Sequence, residues 1–302
     1  MLDERVSLSG GELVVEIAPA LGGKLVTLRR TDGDNVLYAP PELPYRLPDV
    51  DGDFSLHDTS GFDECFPTVG ACTVEGRALP DHGQVWSRPA TWRREAATLV
   101  VTSELPDARF VRRLRIDGAT LHIDYEVTAS RRQPMLWSAH PLLAVHEGAQ
   151  IVLPDEVTEL SVEWSARPLP SRVGWPVHDG ARLDTLGPAA NARAYKVFTG
   201  SLTTGACALY DPASDTAVTM RFDAAELPFV GLWVCEGGWP VTRPAKHYTV
   251  ALEPCTAPVD SLDRAVADET ARWLEPNTPR RWGLAVTATR GRPQLAGRVS
   301  SP

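Results

Sequence analysis

The chain has 302 residues, of which 43% are hydrophobic and 23% charged. These proportions are ordinary for a soluble globular protein, and the length suffices for a sizeable core without disulfides or metals. The formal net charge of −9 argues against nucleic acid and anionic membranes as partners.

The chain starts with residues 1–5, which lack the basic and then apolar pattern of a signal peptide. No apolar run in the sequence approaches membrane-spanning length. The five cysteines are odd in number and irregularly spaced, so we expect no disulfide framework and no zinc site. Together these features favour a soluble protein of the reducing cytoplasm.

The N-terminal part reads as short strands and turns. Residues 13–17 and 24–29 are predicted strands, separated by a glycine-containing turn at 19–23. Residues 39–61 carry four prolines, and proline lacks a donor for a sheet ladder. We therefore predict a long loop there, and loops of this length in compact domains are often functional.

Strand patterns dominate the middle of the chain. Residues 121–127 alternate strictly between apolar and polar side chains, which is typical of a half-buried antiparallel strand. Residues 165–180 carry three prolines and are predicted to form a second long loop. Further strands are predicted over residues 98–103, 109–116, 206–210, 217–222, 229–235 and 247–252.

One short helix is predicted near the C-terminus. Asp260 can cap it and Asp263 lies in its first turn. Its apolar stripe consists of Leu262, Ala265, Val266 and Trp273. The tail after residue 291 is polar and is expected to fray. Many strands with one late helix predict an all-β sandwich of large antiparallel sheets, and the composition favours a single domain over residues 1–302.

Three residues, each next to a glycine or a proline, have the chemistry of an acid/base set for a small polar substrate: His82, His140 and Glu253. Histidine titrates near neutral pH, and a glutamate at a strand end is rarely buried without a partner. His82 lies in a turn that is expected to lead into a strand. Alternatives stay open for each residue: a surface histidine at 82, a structural histidine at 140 and a carboxylate at the sheet rim at 253.

A second polar group lies at residues 61–68. Asp63 and Glu64 are adjacent, so in a strand they point to opposite faces and at most one faces a given cleft. Their carboxylates can bind ligand hydroxyl groups, whereas the many arginines offer internal ion pairs as the alternative. Five tryptophans are candidates for stacking on a ligand, although most are expected in the core: Trp86, Trp137, Trp175, Trp233 and Trp239.

Segments along most of the chain resemble the aldose 1-epimerase (galactose mutarotase-like) superfamily. They occur in the family's order and wide spacing at residues 21–29, 81–83, 138–141 and 252–254, followed by Asp260. The resemblance implies a β-supersandwich fold with a sugar-sized cleft on one sheet. It also implies that Glu253 is the general base, His140 the general acid and His82 a second contact to the ring oxygen of a sugar.

The implied reaction interconverts the anomers of a sugar. A base removes the proton of the C1 hydroxyl and an acid protonates the ring oxygen, so the ring opens to a carbonyl and closes again after rotation about C1–C2. A carboxylate and an imidazolium suit these steps because their ordinary pKa values, about 4.3 and 6.5, bracket mildly acidic pH. The chemistry requires no metal, and we expect no cofactor.

The chain departs from the family at the expected sugar contacts. Family members that act on free hexoses usually carry an arginine or asparagine upstream of the first histidine and an aspartate between the second histidine and the glutamate. This chain has Asp63 and Glu64 near the first place and Lys196 near the second. Together with Trp233, these residues are the candidate substrate contacts, and the identity of the sugar stays open.

Three functions are compatible with these residues. The first is a sugar mutarotase that uses Glu253 and His140, and the second is a carbohydrate-binding protein without catalysis. The third is an epimerase for a phosphorylated sugar, which requires a basic cluster at the cleft. A small-molecule sugar is the expected partner in each case, and the oligomeric state is open. The candidates for a basic cluster are Arg29, Arg30, Arg46, Arg77 and Lys196.

Overall fold

The computed structural model describes residues 4–40, 42, 44–240 and 246–295. In chain order its strands and helix are β1 Val6–Gly10, β2 Leu13–Ala18, β3 Lys24–Arg30, β4 Phe62–Cys65, β5 Cys72–Val74, β6 Arg77–Leu79, β7 Thr91–Glu95, β8 Thr98–Glu104, β9 Ala108–Asp117, β10 Thr120–Ala129, β11 Gln133–Met135, β12 Ser138–Ala144, β13 Gln150–Val152, β14 Glu159–Ser165, β15 Arg172–Gly174, β16 Val177–His178, β17 Ala181–Arg182, β18 Arg193–Thr199, β19 Ala206–Asp211, β20 Thr216–Phe222, β21 Phe229–Glu236, β22 Tyr248–Cys255, α1 Leu262–Ala267, β23 Arg272–Leu274 and β24 Arg280–Arg290. Short 3-10 helices occur at Pro19–Leu21, Phe54–Leu56 and Ala189–Asn191. None of the helices in the described ranges is long and apolar enough to cross a membrane.

Two large antiparallel sheets make up most of the structure. The ten-stranded sheet has the order β1-β2-β3-β4-β12-β22-β21-β18-β14-β15. The eight-stranded sheet has the order β13-β19-β20-β24-β10-β9-β8-β7. Three two-stranded ribbons, β5-β6, β11-β23 and β16-β17, account for the remaining described strands. The all-β sandwich with a short C-terminal helix is therefore confirmed.

The two large sheets bury a common apolar core between them. In β10 the odd-numbered residues from Leu121 to Val127 are buried, and the residues between them are partly or fully exposed. A side-chain period of two places one face of a strand against the core. Side chains of the ten-stranded sheet, such as Leu232 and Leu252, belong to the same buried cluster. The opposite face of the ten-stranded sheet therefore does not pack against this core.

The predicted strands and loops are largely confirmed. Each strand predicted from alternation is present, with bounds that differ by at most a few residues. The first proline-rich loop, at 39–61, contains the 3-10 turn Phe54–Leu56 and no described strand. The second, at 165–180, contains the short strands β15 and β16, and β15 lies at the edge of its sheet. Proline content thus correctly excluded central strands at both places.

The helix α1 differs from its prediction at both ends. Its N-cap position is Ser261 and not Asp260, and the Ser261 side chain makes no capping hydrogen bond; the N–H of Leu262 donates instead to Thr68 Oγ1. Asp260 instead lies 3.5 Å from the Nζ atom of Lys196. The helix ends at Ala267, so the predicted apolar stripe stops before Trp273, which lies in β23. The prediction is right for the first turn, which contains Asp263 and buries Leu262 and Ala265.

Candidate active site

The face of the ten-stranded sheet that points away from the core carries the predicted acid/base residues. Strand pairing places one residue from each of five neighbouring strands, β4, β12, β22, β21 and β18, in a row across this face. We call this the acid/base row: Asp63, His140, Glu253, Gly231 and Phe198. The sheet therefore brings together two residues, at 140 and 253, that are far apart in sequence.

A second row lies two residues further along β12, β22, β21 and β18 and continues onto β14. We call it the tryptophan row: Leu142, Ala251, Trp233, Lys196 and Trp164. Residues two apart on a strand share a face, so the two rows are about 7 Å apart. A cavity of about 710 Å³ lies over both rows and is also lined by residues 51–55 and 80–82.

Glu253 is fully buried, and its two carboxylate oxygens have different surroundings. Oε2 accepts a hydrogen bond from Lys196 Nζ and lies 3.4 Å from Ser138 Oγ. Oε1 has no hydrogen-bond partner among the described residues and lies 4.0 Å from His140 Nε2. Burial raises the pKa of Glu253, while the charge of Lys196 opposes the rise. One oxygen is thus anchored and the other is available at the cavity.

Lys196 reaches Glu253 by crossing an intervening strand. Lys196 lies on β18 and Glu253 on β22, and β21 runs between them with Gly231. A Cβ atom at Gly231 would lie 3.3 Å from Lys196 Nζ and 2.9 Å from the Phe198 ring. Nζ also lies 3.5 Å from Asp260 Oδ1. Burial opposes the charge of Lys196, but the two carboxylates outweigh it and raise the pKa of the lysine. The missing side chain at 231 therefore makes room for a lysine that joins two carboxylates.

His82 lies on a left-handed turn with φ of 58°, followed by Gly83 with φ of 70°. Its ring stacks on Phe54 with centroids 3.8 Å apart. It also meets the ring of His140 edge-on at 4.9 Å. The turn does not lead into a strand, contrary to the prediction, because the chain continues through further turns to residue 88. The two histidines nevertheless line one cavity.

The two histidines have opposite electrostatic surroundings. Burial opposes protonation of His82, but the Asp81 carboxylate, 3.1 Å from Nδ1, outweighs it and raises the pKa of His82. Burial, the charge of His82 and the lysines Lys196 and Lys24 lower the pKa of His140 well below its ordinary value. These surroundings favour the proton on His82 over His140, and the role of His140 as general acid stays a prediction.

Glu64 lies in the core between the two sheets. Its Oε1 atom is 3.3 Å from the guanidinium of Arg112 and accepts a hydrogen bond from Tyr125, while Oε2 accepts one from the Trp137 indole. Burial raises the pKa of Glu64 to about 7. Contrary to the expectation of a substrate contact, Glu64 does not line the cavity. The internal ion pair is the alternative that the structure supports.

Asp63 lies on the face of β4 opposite to Glu64, which is the face that points away from the core. Lys24 Nζ is 3.0 Å from Asp63 and also pairs with Asp58. Burial raises the pKa of Asp63 to about 6, and Lys24 opposes the rise. Asp63 does not line the cavity, so the expected direct contact with substrate is not available to it. Its place beside His140 in the acid/base row leaves it an indirect, electrostatic influence.

No protein-family model and no curated protein matches the sequence. Among solved structures, 74 chains match. The Slr1438 protein from Synechocystis sp. PCC 6803 has a TM-score of 0.71 at 17% identity, over 95% of this chain and 96% of its own. The galactose mutarotase related enzyme from Lactobacillus acidophilus has 0.66 at 15%, over 95% and 97%. The chain has the galactose mutarotase-like fold.

A third match agrees with this fold. The galactose mutarotase-like protein from Clostridium acetobutylicum has a TM-score of 0.66 at 13% identity, over 95% of both chains. The β-supersandwich that the resemblance implied is therefore confirmed. At these identities the galactose mutarotase-like fold fixes the architecture, and the reaction has to be argued from the site.

The tryptophans of this galactose mutarotase-like chain divide between core and cavity. Trp233 and Trp239 line the cavity, and a role for Trp233 in substrate binding stays a prediction. The others lie elsewhere: Trp137 is fully buried, Trp175 packs against the core, and Trp86 is buried and donates to the Asp81 carbonyl. The expectation that most are core residues is thus right.

Several cavity residues were not identified from the sequence, among them Phe54, Trp164 and His247. The length of the loop at 39–61 was a signal for Phe54, since long loops are often functional. Trp164 shares a face with Lys196 and Trp233 only once β14 and β18 are paired. That pairing cannot be read from local periodicity.

The cavity offers proton acceptors and donors. Glu253 and Asp260 supply carboxyl groups, and His82 and His140 supply imidazoles, of which His82 holds a proton more readily. Within the described ranges, no three or more His, Cys, Asp or Glu side chains are grouped so as to hold a metal ion. The chemistry that this set of side chains supports is acid/base proton transfer.

Proposed function

We propose that the protein is an aldose 1-epimerase-like isomerase that interconverts the anomers of a sugar by acid/base ring opening. One observation carries the proposal: Glu253 Oε1 and His140 Nε2 lie 4.0 Å apart at the same cavity of about 710 Å³. The cavity is large enough to accept a pyranose, and the proposal puts C1 and the ring oxygen of the sugar beside these two atoms. The galactose mutarotase-like fold is consistent with this chemistry.

In this reaction Glu253 Oε1 takes the proton of the C1 hydroxyl as the C1–ring oxygen bond breaks. The bonding electron pair passes to the ring oxygen, which receives a proton from the His82–His140 pair. After rotation about C1–C2, the histidine pair takes back its proton, and the ring oxygen attacks the other face of the carbonyl. Glu253 returns its proton to the C1 oxygen, so the enzyme ends each cycle unchanged.

Lys196 has a supporting part in this proposal. Its bond to Oε2 fixes the orientation of the Glu253 carboxylate and favours the ionised form that a base requires. In this proposal Lys196 is a positioning residue for the base, and the sugar contact expected at this place stays a prediction. Its ammonium group is already engaged by Glu253 and Asp260.

Polarimetry on freshly dissolved aldoses tests the proposal. The wild-type protein should accelerate the change in optical rotation for at least one aldose of a panel, and the Glu253→Gln variant should not. If no aldose of the panel equilibrates faster with the wild-type protein than with the variant, the proposal of catalysis fails.

A carbohydrate-binding protein without catalysis is the second candidate. The observation in its favour is the close pairing of Glu253 with Lys196, because an ion-paired carboxylate is a weaker base than a free one. Saturable sugar binding by calorimetry that survives both Glu253→Gln and His140→Ala, without turnover, would support this candidate over the enzyme.

Nothing in the described lining favours a phosphorylated sugar. Phosphate recognition uses converging arginines and lysines. Among the described residues, Lys196 is the one lysine or arginine that lines the cavity, and it is paired with carboxylates. The arginines expected to form a basic cluster do not line it: Arg29, Arg30, Arg46 and Arg77.

A further inference from the structure

The cavity extends well beyond the acid/base row. Its other side is a chain of indoles: Trp164 and Trp233 have ring centroids 5.6 Å apart, and Trp233 and Trp239 have centroids 5.9 Å apart. All three line the cavity. The rings of Trp164 and Trp233 meet above the strand that carries Lys196, since β18 lies between β14 and β21. The result is a continuous aromatic surface beside the acid/base row.

Core packing does not explain this surface. Trp164 is 39% exposed, whereas Trp137 in the core is fully buried. A large exposed apolar side chain at a cavity is informative because burial would otherwise stabilise it by removing its surface from water. The indole of Trp164 therefore remains available to a bound molecule.

One sugar ring cannot cover both the acid/base residues and Trp164. From Glu253 on β22 to Trp164 on β14 there are three strand spacings, or about 14 Å. A pyranose placed over His140 and Glu253 spans much less than this. Cavities of about 300–1,000 Å³ suit ligands of drug-like size, which exceeds a monosaccharide, and this one has about 710 Å³.

The charge pattern restricts what can lie on the indoles. The one lysine or arginine in the described part of the lining, Lys196, is already paired with Glu253 and Asp260. An anionic group would therefore lack a counter-ion there. A second sugar ring is suitable, because one face of a pyranose presents C–H groups that pack on an aromatic ring while its hydroxyls stay in water.

We propose that the tryptophan row forms a second subsite and that the substrate is an uncharged reducing disaccharide. The reducing ring lies over His140 and Glu253, and the neighbouring ring lies on Trp233 and Trp164. This inference rests on the proposed anomer interconversion for its first subsite. The second subsite has a consequence of its own, which is tighter binding of disaccharides than of monosaccharides.

Exchange NMR and calorimetry with cellobiose, maltose and lactose, compared with glucose and galactose, test the subsite. At least one disaccharide should have a higher kcat/KM and a lower Kd than its monosaccharides. Trp164→Ala should weaken that disaccharide about threefold to tenfold, the factor of one stacking contact, and leave the monosaccharides unchanged. Trp92→Ala is the matched control, because Trp92 is 41% exposed on β7 of the other sheet.

The outcomes separate the two proposals. Turnover of monosaccharides without any disaccharide preference overturns the subsite and leaves the proposed function standing. Disaccharide binding that Trp164→Ala weakens, without any turnover, overturns the proposed function and supports the subsite. No binding of any disaccharide of the panel, or an equal loss in Trp164→Ala and Trp92→Ala, overturns the subsite.

Discussion

Glu253 and Lys196 show how single residues define the chemistry of this site. The sequence identified Glu253 by its proline neighbour and by the family resemblance, but it gave Lys196 a contact with the sugar. In the structure Lys196 Nζ binds one oxygen of Glu253 and leaves the other free. The charge at this position is thus placed to act on the candidate base, and a direct contact of Lys196 with substrate stays a prediction.

Replacing Lys196 by methionine tests this relation. Lys196 opposes the rise in the pKa of Glu253 that burial causes, so its removal should raise that pKa further. The ionised base then forms at higher pH, and the ascending limb of the kcat/KM profile should move up by about 1–3 pH units. An ascending limb that stays in place in Lys196→Met would contradict the assigned role.

Asp81→Asn tests the acid in the same way. Asp81 raises the pKa of His82 against the effect of burial, so its loss should lower that pKa. The protonated acid is then lost at lower pH, and the descending limb should move down by at least about one pH unit. The two variants are compared with each other, because Lys196 pairs directly with Glu253 and Asp81 with His82, so each should move mainly one limb. If the pH profile of kcat/KM is the same for Asp81→Asn as for the wild-type protein, His82 is not part of the acid.

At the scale of elements, the site depends on the absence of a side chain at Gly231 in β21. Gly231 lies between Phe198 and Glu253, and Lys196 passes over it. Local periodicity predicted β21 correctly because one face of the strand is buried. Periodicity could not predict why residue 231 has to be a glycine, since the space beside it is filled by side chains from β18 and β22.

Gly231→Ala should therefore displace Lys196 from Glu253. The new Cβ would lie 2.9 Å from the Phe198 ring and 3.3 Å from Lys196 Nζ, so one of them has to move. We expect kcat to fall at least about tenfold, with an ascending pH limb shifted as in Lys196→Met. Gly283→Ala in β24 is the control, because its Cβ would meet nothing closer than 3.6 Å. Equal kcat values for the two variants would refute the claim that Gly231 makes room for Lys196 beside Glu253.

The sheets are joined by a buried ion pair that the sequence left as an alternative. Arg112 on β9 reaches Glu64 on β4 and donates to the carbonyls of Gly22 and Gly23. Adjacency showed that Asp63 and Glu64 face opposite ways, but it could not show which of them faces the core. That choice depends on the register of β4 against β12.

Arg112→Met should lower the free energy of unfolding by about 3–5 kcal/mol, because it leaves the Glu64 carboxylate buried without a cation. Urea denaturation measures this, and Arg112→Met/Glu64→Gln should recover part of the loss. Arg113→Met is the matched control: Arg113 is the next residue of β9, is partly exposed and should cost less than about 1 kcal/mol. Equal losses for Arg112→Met and Arg113→Met would show that the inter-sheet pair is unimportant.

At the scale of the whole molecule, fold class was the most predictable property. Period-two alternation, proline-rich loops and one late helix indicated the sandwich, because each is a local consequence of sheet geometry. A single domain over residues 1–302 stays a prediction. The tail was expected to fray after residue 291; residues 296–302 of it lie outside the described residues, as do Pro41 and residues 241–245.

The site was predictable only in part. His82, His140 and Glu253 carried local signals and lie at one cavity. Lys196 and Trp164 acquire their positions from pairing across the sheet, so no local pattern shows what they contact. Sequence thus identified the groups that could transfer protons, and the packed sheets were needed to show what orients them.

Exchange NMR on an equilibrated aldose tests the central claim most directly, because it measures anomer interconversion without an assumed product. The wild-type protein should exchange the two anomeric signals of at least one sugar, and Glu253→Gln should lower the catalysed rate by about 10²–10⁴-fold. Glu236→Gln should retain it, since Glu236 is equally buried and paired with Arg193 but does not line the cavity. Exchange by Glu253→Gln at the wild-type rate would contradict the account.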